Sequence, residues 1–160
     1  MIYNQSDVNR IALYQPRIPQ NTGNIARTCA AFKFYLDLIG PLGFSLDDRY
    51  LKRAGLDYWD YVNVTYYDSI DNYLTLMRER RLIGFSKSAN KKLSEYKFIK
   101  GDIYLFGRED SGIPINIQNK INEMIKIPMP GAANQDGSKG VRSLNLSVAV
   151  GIVAYISYLQ

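Results

Sequence analysis

Histidine is absent from this 160-residue chain. Its absence excludes Ser-His-Asp and Cys-His catalysis, HExxH zinc chemistry and any His-ligated metal, so no resident metal is expected. Cysteine occurs once, at Cys29, which excludes an internal disulfide or a CxxC site and points to a reducing, cytoplasmic setting. Residues 1–10 hold no apolar segment of the signal-peptide kind. The uncharged stretch Leu144–Gln160 is interrupted by Asn145, Ser147 and Ser157, and reads as a buried terminal helix rather than a membrane span. Glycine fingerprints are missing too. No GxGxxG follows a strand, and the glycine-rich stretch 131–140 does not fit GxxxxGK[ST], so neither a standard dinucleotide site nor a P-loop is expected.

What is present suits one soluble domain spanning 1–160. Hydrophobic residues make up 46% and charged residues 22%. A chain of this length buries roughly 70% of its extended surface and needs no disulfide or metal to hold it. The net charge is +5, unevenly spread. Between Met77 and Lys100, eight basic residues (Arg78, Arg80, Arg81, Lys87, Lys91, Lys92, Lys97 and Lys100) face two acidic ones, Glu79 and Glu95. The local surplus exceeds that of the whole chain. It reads either as a phosphate-contacting surface or as a solvated face.

Apolar patterning predicts strands at Arg10–Tyr14, Tyr35–Ile39, Val62–Tyr66, Arg81–Ser86, Asp102–Gly107 and Met124–Met129. It predicts helices at Asn21–Phe34 (capped by Asn21 or Thr22), Asp47–Ala54, Ser69–Arg80, Asn116–Asn122 and Asn145–Leu159. The first nine residues form an extension before the first strand. Strands and helices alternate, and most strands are apolar almost throughout. That argues for an α/β fold with a mainly parallel sheet and helices on both faces. Ligands of such folds bind outside the carboxyl ends of the strands, so the loops after Tyr14, Ser86, Phe106 and Met129 are the places to look.

Four clusters fall in or beside those loops. Phe106–Pro114 (FGREDSGIP) joins a glycine suited to close backbone approach, Gly107, to a carboxylate at a strand end, Glu109; its plainer reading is a turn with a capping carboxylate. Ile127–Pro130 (IPMP) holds the chain extended and strips two backbone donors, a clasp for a flat ligand or simply a rigid loop. Arg142–Ala149 (RSLNLSVA) places Ser143, Asn145 and Ser147 at the mouth of an apolar helix, more polar groups than a cap requires. Asn21–Arg27 (NTGNIAR) sets Asn21, Asn24 and Arg27 on the first turns of a helix, a suitable place for phosphate or ribose.

Taken together and in order, these segments resemble the SPOUT-class RNA methyltransferases, and within them the tRNA wobble-nucleotide 2′-O-methyltransferases. The resemblance runs from about Ile11 to Leu159. It is carried by LYQPRIPQNTGNIAR (13–27), GPLGFSLDDRYLKRAGLDYW (40–59), LFGREDSGIP (105–114), IPM (127–129) and RSLNLS (142–147). It implies S-adenosylmethionine as cofactor, the anticodon region of tRNA as substrate, a homodimer, and a deep trefoil knot in the C-terminal part of the sheet; methylation of another tRNA or rRNA ribose, or a non-catalytic knotted RNA-binding protein, are the alternatives. Carried over residue by residue, Phe85, Gly107, Ile127 and Ser143 match cofactor-contacting places, with Met129 and Leu144 lining the same pocket. Arg27 matches an arginine held to take the 2′-hydroxyl proton, and Glu109 is the rival base. Asn21, Ser143 and Asn145 would hold Arg27 and the ribose in place. The chain departs from the pattern at Arg108, where proline is usual, at Val148, in the length of the 131–141 loop and in its first nine residues.

Overall fold

The computed structural model describes residues 7–133, 137 and 139–160, with the side chains of 55–57 outside that description. Seven strands form one sheet: β1 (Arg10–Tyr14), β2 (Tyr35–Ile39), β3 (Val64–Tyr67), β4 (Leu82–Phe85), β5 (Lys91–Lys92), β6 (Ile103–Phe106) and β7 (Glu123–Lys126). Their order is β3-β2-β1-β6-β4-β7-β5, and every pairing is parallel. The helices are α1 (Pro19–Phe32), α2 (Arg49–Gly55), α3 (Ile70–Leu76), α4 (Ile115–Gln118) and α5 (Leu146–Tyr158), with a 3₁₀ helix at Leu56–Tyr61.

Period-two alternation divides the core between the two faces of the sheet. Ile11 and Leu13 of β1 join Ile25, Ala26 and Cys29 of α1 and Val150, Val153 and Ala154 of α5. Ala12 and Tyr14 join Tyr73 of α3 and Ile117 of α4 on the opposite face. Both faces are therefore covered, as an all-parallel sheet requires. Two carboxylates, Asp37 and Asp102, lie fully inside. Asp37 of β2 is fully buried, takes Nε and Nη2 of Arg10 at 2.6 and 2.7 Å, and accepts from the Tyr73 hydroxyl at 2.7 Å.

Several boundaries differ from the sequence reading. Helix α1 begins at Pro19, with Ile18 in the cap position and no side-chain cap. Proline suits the first helical position because its φ is preset and it has no amide to satisfy. Asn21 and Thr22 therefore sit inside the helix, both buried. The helix expected over 69–80 stops at Leu76: Ser69 caps it through Asn72 N–H at 3.2 Å, and the chain beyond turns to deliver Arg80 to the carbonyls of Val8 and Gly101. Helix α4 is a single turn, and β7 ends at Lys126, two residues before a proline that cannot donate to the ladder. Strand β5 carries two exposed lysines and no apolar signal; only its pairing with β7 defines it. The expected extension 1–9 lies outside the described residues through position 6, and the 131–141 loop does so at 134–136 and 138.

Part of the basic 77–100 segment serves the fold, while Arg78, Lys87, Lys91, Lys92, Lys97 and Lys100 are exposed. Arg81 grips Asp102 with two bonds of 2.8 and 2.7 Å, Lys91 pairs with Glu123 at 2.9 Å, and Arg78 and Lys92 pair with Glu79 and Glu95. Of the eight cations, Lys87 alone lines the cleft described next.

Candidate active site

The sheet reverses its winding between β1 and β6, so the loops leaving the carboxyl ends of β1, β6, β4 and β7 diverge around a crevice. That crevice is a cleft of about 770 Å³. Phe85 and Phe106, the last residues of β4 and β6, stack at 4.7 Å with their planes 9° apart and form part of its apolar wall. Ile127 and Met129 from the loop after β7, and Leu144, Leu146 and Ala149 at the start of α5, complete that wall. Ser86, Lys87, Arg108, Asp110, Arg142 and Ser143 are among the polar residues. Volume and mixed lining suit a nucleoside-sized ligand with a charged tail.

The turn after β6 is built tightly. Arg108 and Gly112 exchange backbone hydrogen bonds of 3.2 and 2.9 Å. A Cβ on Gly107 would run into the Gly112 carbonyl carbon and the Ile113 amide, so glycine is needed for this turn to close on itself. The expected reason, close approach to a ligand, is thus joined by an internal one. Asp110 accepts Nε and Nη2 of Arg108 at 2.9 and 2.7 Å, and the guanidinium holds its carboxyl well below the usual carboxylate range.

Glu109 turns toward α1. Its carboxylate accepts the amides of Arg17 at 2.8 Å and Ile18 at 3.0 Å and the side-chain amide of Asn21 at 3.3 Å. The chain entering α1 donates to an anion fixed by the neighbouring loop, which the helix dipole also favours. Asn21 passes the connection on, because its Oδ1 accepts from Asn145 Nδ2 at 3.0 Å. Asn145 caps α5 by accepting Ser147 N–H at 2.9 Å, and it accepts the Ser147 hydroxyl at 2.7 Å. One chain of hydrogen bonds thus joins the β6 loop, α1 and α5 along the cleft.

Every site residue expected from sequence lines the cleft except Arg27: Asn21, Phe85, Gly107, Glu109, Ile127, Met129, Ser143, Leu144 and Asn145 are all there. Arg27 is exposed on α1, with its guanidinium 4.6 Å over the Tyr58 ring. Asn21 and Asn145 hold Glu109 and Ser147 rather than Arg27. Sequence reasoning did not single out Phe106, whose place as last residue of a strand beside Gly107 was the available signal. It also missed Tyr58, although the 40–59 segment that carries the resemblance contains it.

A wholly parallel α/β sheet with a ligand cleft at a reversal of strand order, walled by aromatic and apolar side chains and rimmed by cations, is the architecture of an enzyme that works with a nucleotide-like cofactor. The chain belongs to the SpoU rRNA Methylase family, whose model matches residues 9–155. It is 37% identical over 150 residues to the tRNA (cytidine(34)-2′-O)-methyltransferase of Methylovorus glucosotrophus, covering 94% of each chain. A Bacillus subtilis protein provisionally assigned the same activity is 44% identical over 154 residues, covering 94% of this chain and 91% of its own. A solved structure described as giving insight into the 2-OH methylation of C/U34 on tRNA superposes with a TM-score of 0.86 at 45% identity, covering 96% of this chain and 95% of that one. The SpoU methyltransferase AviRb of Streptomyces viridochromogenes in complex with the cofactor AdoMet shares the fold, with a TM-score of 0.85 at 19% identity over 99% of this chain and 62% of its own.

Proposed function

We propose that this chain is an S-adenosylmethionine-dependent methyltransferase that modifies the ribose 2′-hydroxyl of the wobble pyrimidine, nucleotide 34, of tRNA. The observation that carries this reading is the similarity to the C/U34 2′-O-methylation structure, which spans nearly all of both chains. The presence of nine expected residues in one cleft supports it.

The cleft suits the cofactor. The stacked Phe85–Phe106 wall with Ile127, Met129 and Leu144 would hold adenosine, and Gly107 and Ser143 would flank it. When bound, S-adenosylmethionine supplies an already activated sulfonium methyl. What this chain adds is alignment of the 2′-oxygen with that methyl, which supplies several kcal/mol of the barrier. The Glu109–Asn21–Asn145–Ser147 chain fixes the loops that set this alignment. Both carboxylate oxygens of Glu109 are engaged by amides, so we assign it to positioning rather than proton removal. Arg27 forms no ion pair among the described residues. A guanidinium offers five N–H donors and no acceptor, so we assign Arg27 to orienting the 2′-hydroxyl and its flanking phosphate.

Arg27 lies outside the cleft lining of its own chain, which fits a site completed in a homodimer. The exposed Tyr155, Tyr158 and Val148 of α5 and the adjoining Leu159 offer an apolar surface for such pairing, with Phe32 of α1 5.7 Å from the Tyr158 ring. The C-terminal knot belongs to the same proposal, as does a cytoplasmic setting, where tRNA is modified. No helix among the described residues is long and apolar enough to cross a membrane.

The test is methyl transfer. Protein, labelled S-adenosylmethionine and unmodified bulk tRNA are incubated and the product is digested to nucleosides. Label in 2′-O-methylcytidine or 2′-O-methyluridine is the expected result; cofactor binding with no label in tRNA would overturn the substrate assignment.

A further inference from the structure

The two carboxylates of the turn after β6 have separate tasks. Glu109 serves α1, and Asp110 serves Arg108. The Arg108–Asp110 contact is bidentate and spans only two residues, on a turn whose backbone is closed between Arg108 and Gly112. Ser111 Oγ donates to Asp110 Oδ1 at 3.0 Å, so the carboxylate is itself held. Asp110 is the outer partner, with 57% of its side chain exposed against 24% for Arg108. Both residues line the cleft, and Arg108 is the less exposed of the two.

A guanidinium has five N–H donors. Asp110 takes one from Nε and one from Nη2, and no other acceptor among the described residues meets the side chain. The remaining donors sit in fixed orientation at a cleft whose rim also carries Lys87 and Arg142. Neither of those forms an ion pair among the described residues. Holding an arginine in place before binding removes most of the ordering cost that a free side chain bears at that moment.

We propose that Arg108 is a substrate-positioning residue: its unspent donors hold a phosphate of the RNA strand beside the ribose being methylated, and Asp110 aims it. This rests on the reading of the chain as an RNA methyltransferase.

Charge and aim make opposite predictions for Asp110. Removing a negative charge beside a polyanion should tighten binding if only the net field matters, whereas losing the clamp should weaken it. The experiment compares wild type, Arg108→Ala, Arg108→Lys and Asp110→Asn. It measures steady-state methylation of unmodified tRNA, S-adenosylmethionine affinity, and tRNA affinity across about 50–200 mM salt. Arg108→Ala should raise the KM for tRNA about tenfold, a larger change than any in cofactor affinity. It should also reduce the steepness of the salt dependence by about one phosphate contact. Asp110→Asn should raise the KM despite the lost negative charge. Arg108→Lys should recover only part of the loss, because an ammonium cannot span a carboxylate and a phosphate as a planar fork does. Wild-type transfer to tRNA with an unchanged KM and salt slope in Arg108→Ala overturns the assignment of Arg108 alone, even if that variant melts earlier. No wild-type transfer to tRNA overturns this assignment together with the function on which it rests.

Discussion

Asn145 Nδ2 donates to Asn21 Oδ1 at 3.0 Å, joining residues 124 positions apart. Asn21 is nearly inaccessible, and each amide uses its other end for a different element: Asn21 for Glu109 on the β6 loop, Asn145 for the first turn of α5. The pair is therefore a joint between three parts of the cleft. Asn21→Ala or Asn145→Ala should lower kcat by roughly 10- to 100-fold, the scale of a misplaced reacting group. The double variant should cost little more than either single one, since both break one chain of bonds. A double-mutant cycle on kcat checks this, and additive losses would separate the two residues.

Glu109 offers a second test. Glutamine retains one acceptor oxygen and places an NH₂ where a backbone amide now donates. Glu109→Gln should destabilise the fold by about 1–3 kcal/mol, lowering Tm by about 2–4 °C per kcal/mol in a chain of this size. Residual activity should keep the wild-type shape of its pH profile. Loss of a limb of that profile would instead make Glu109 the proton acceptor.

The fold should weaken in alkali. Cys29 is fully buried and burial pushes its thiol up; Tyr73 and Tyr104 are raised in the same sense, chiefly by burial. In the unfolded chain these groups ionise near their ordinary values, about 8.5 for cysteine and 10 for tyrosine. In the folded chain they stay protonated. The unfolded state therefore binds fewer protons above pH 9–10, and stability falls as pH rises, by about 1.4 kcal/mol per pH unit for each group once its unfolded form is ionised. Denaturant melts at pH 8, 9, 10 and 11 check the sign. A thiol reagent should label native Cys29 no faster than the chain opens.

Thr22 is fully buried on α1, and its hydroxyl has no hydrogen-bond partner among the described residues. Valine has the same shape without the unsatisfied oxygen. Thr22→Val should stabilise the protein by about 1 kcal/mol or more. An unchanged or lowered denaturation midpoint would show that the hydroxyl is served by a group that moves to meet it.

The sheet was legible because its central strands are apolar on both faces: β1 is buried throughout, and its residues alternate between two cores. Strand β5 was not, since two exposed lysines carry no such pattern. The cleft was legible as a set of loops, because strand ends in a parallel sheet point one way. What those loops do to one another was hidden. Asn21 has the composition of a cap, and nothing local says that its partner stands at 145 or that Ile18 donates to a carboxylate 91 positions away. Within the basic segment, two residues have tasks that local charge does not reveal. Local charge density marks Arg80 and Arg81 as available for phosphate, but their acceptors, the Gly101 carbonyl and the Asp102 carboxylate, lie on a different element.

The central claim is that one oxygen of one nucleotide is methylated, and the most direct test removes that oxygen. Two tRNA transcripts identical except at position 34, one with cytidine and one with 2′-deoxycytidine, are incubated with the protein and labelled S-adenosylmethionine. The ribose form should take up label, and the deoxy form should take up none while still competing for binding. Equal labelling of both transcripts would contradict the account, because the methyl would then be going elsewhere on the RNA.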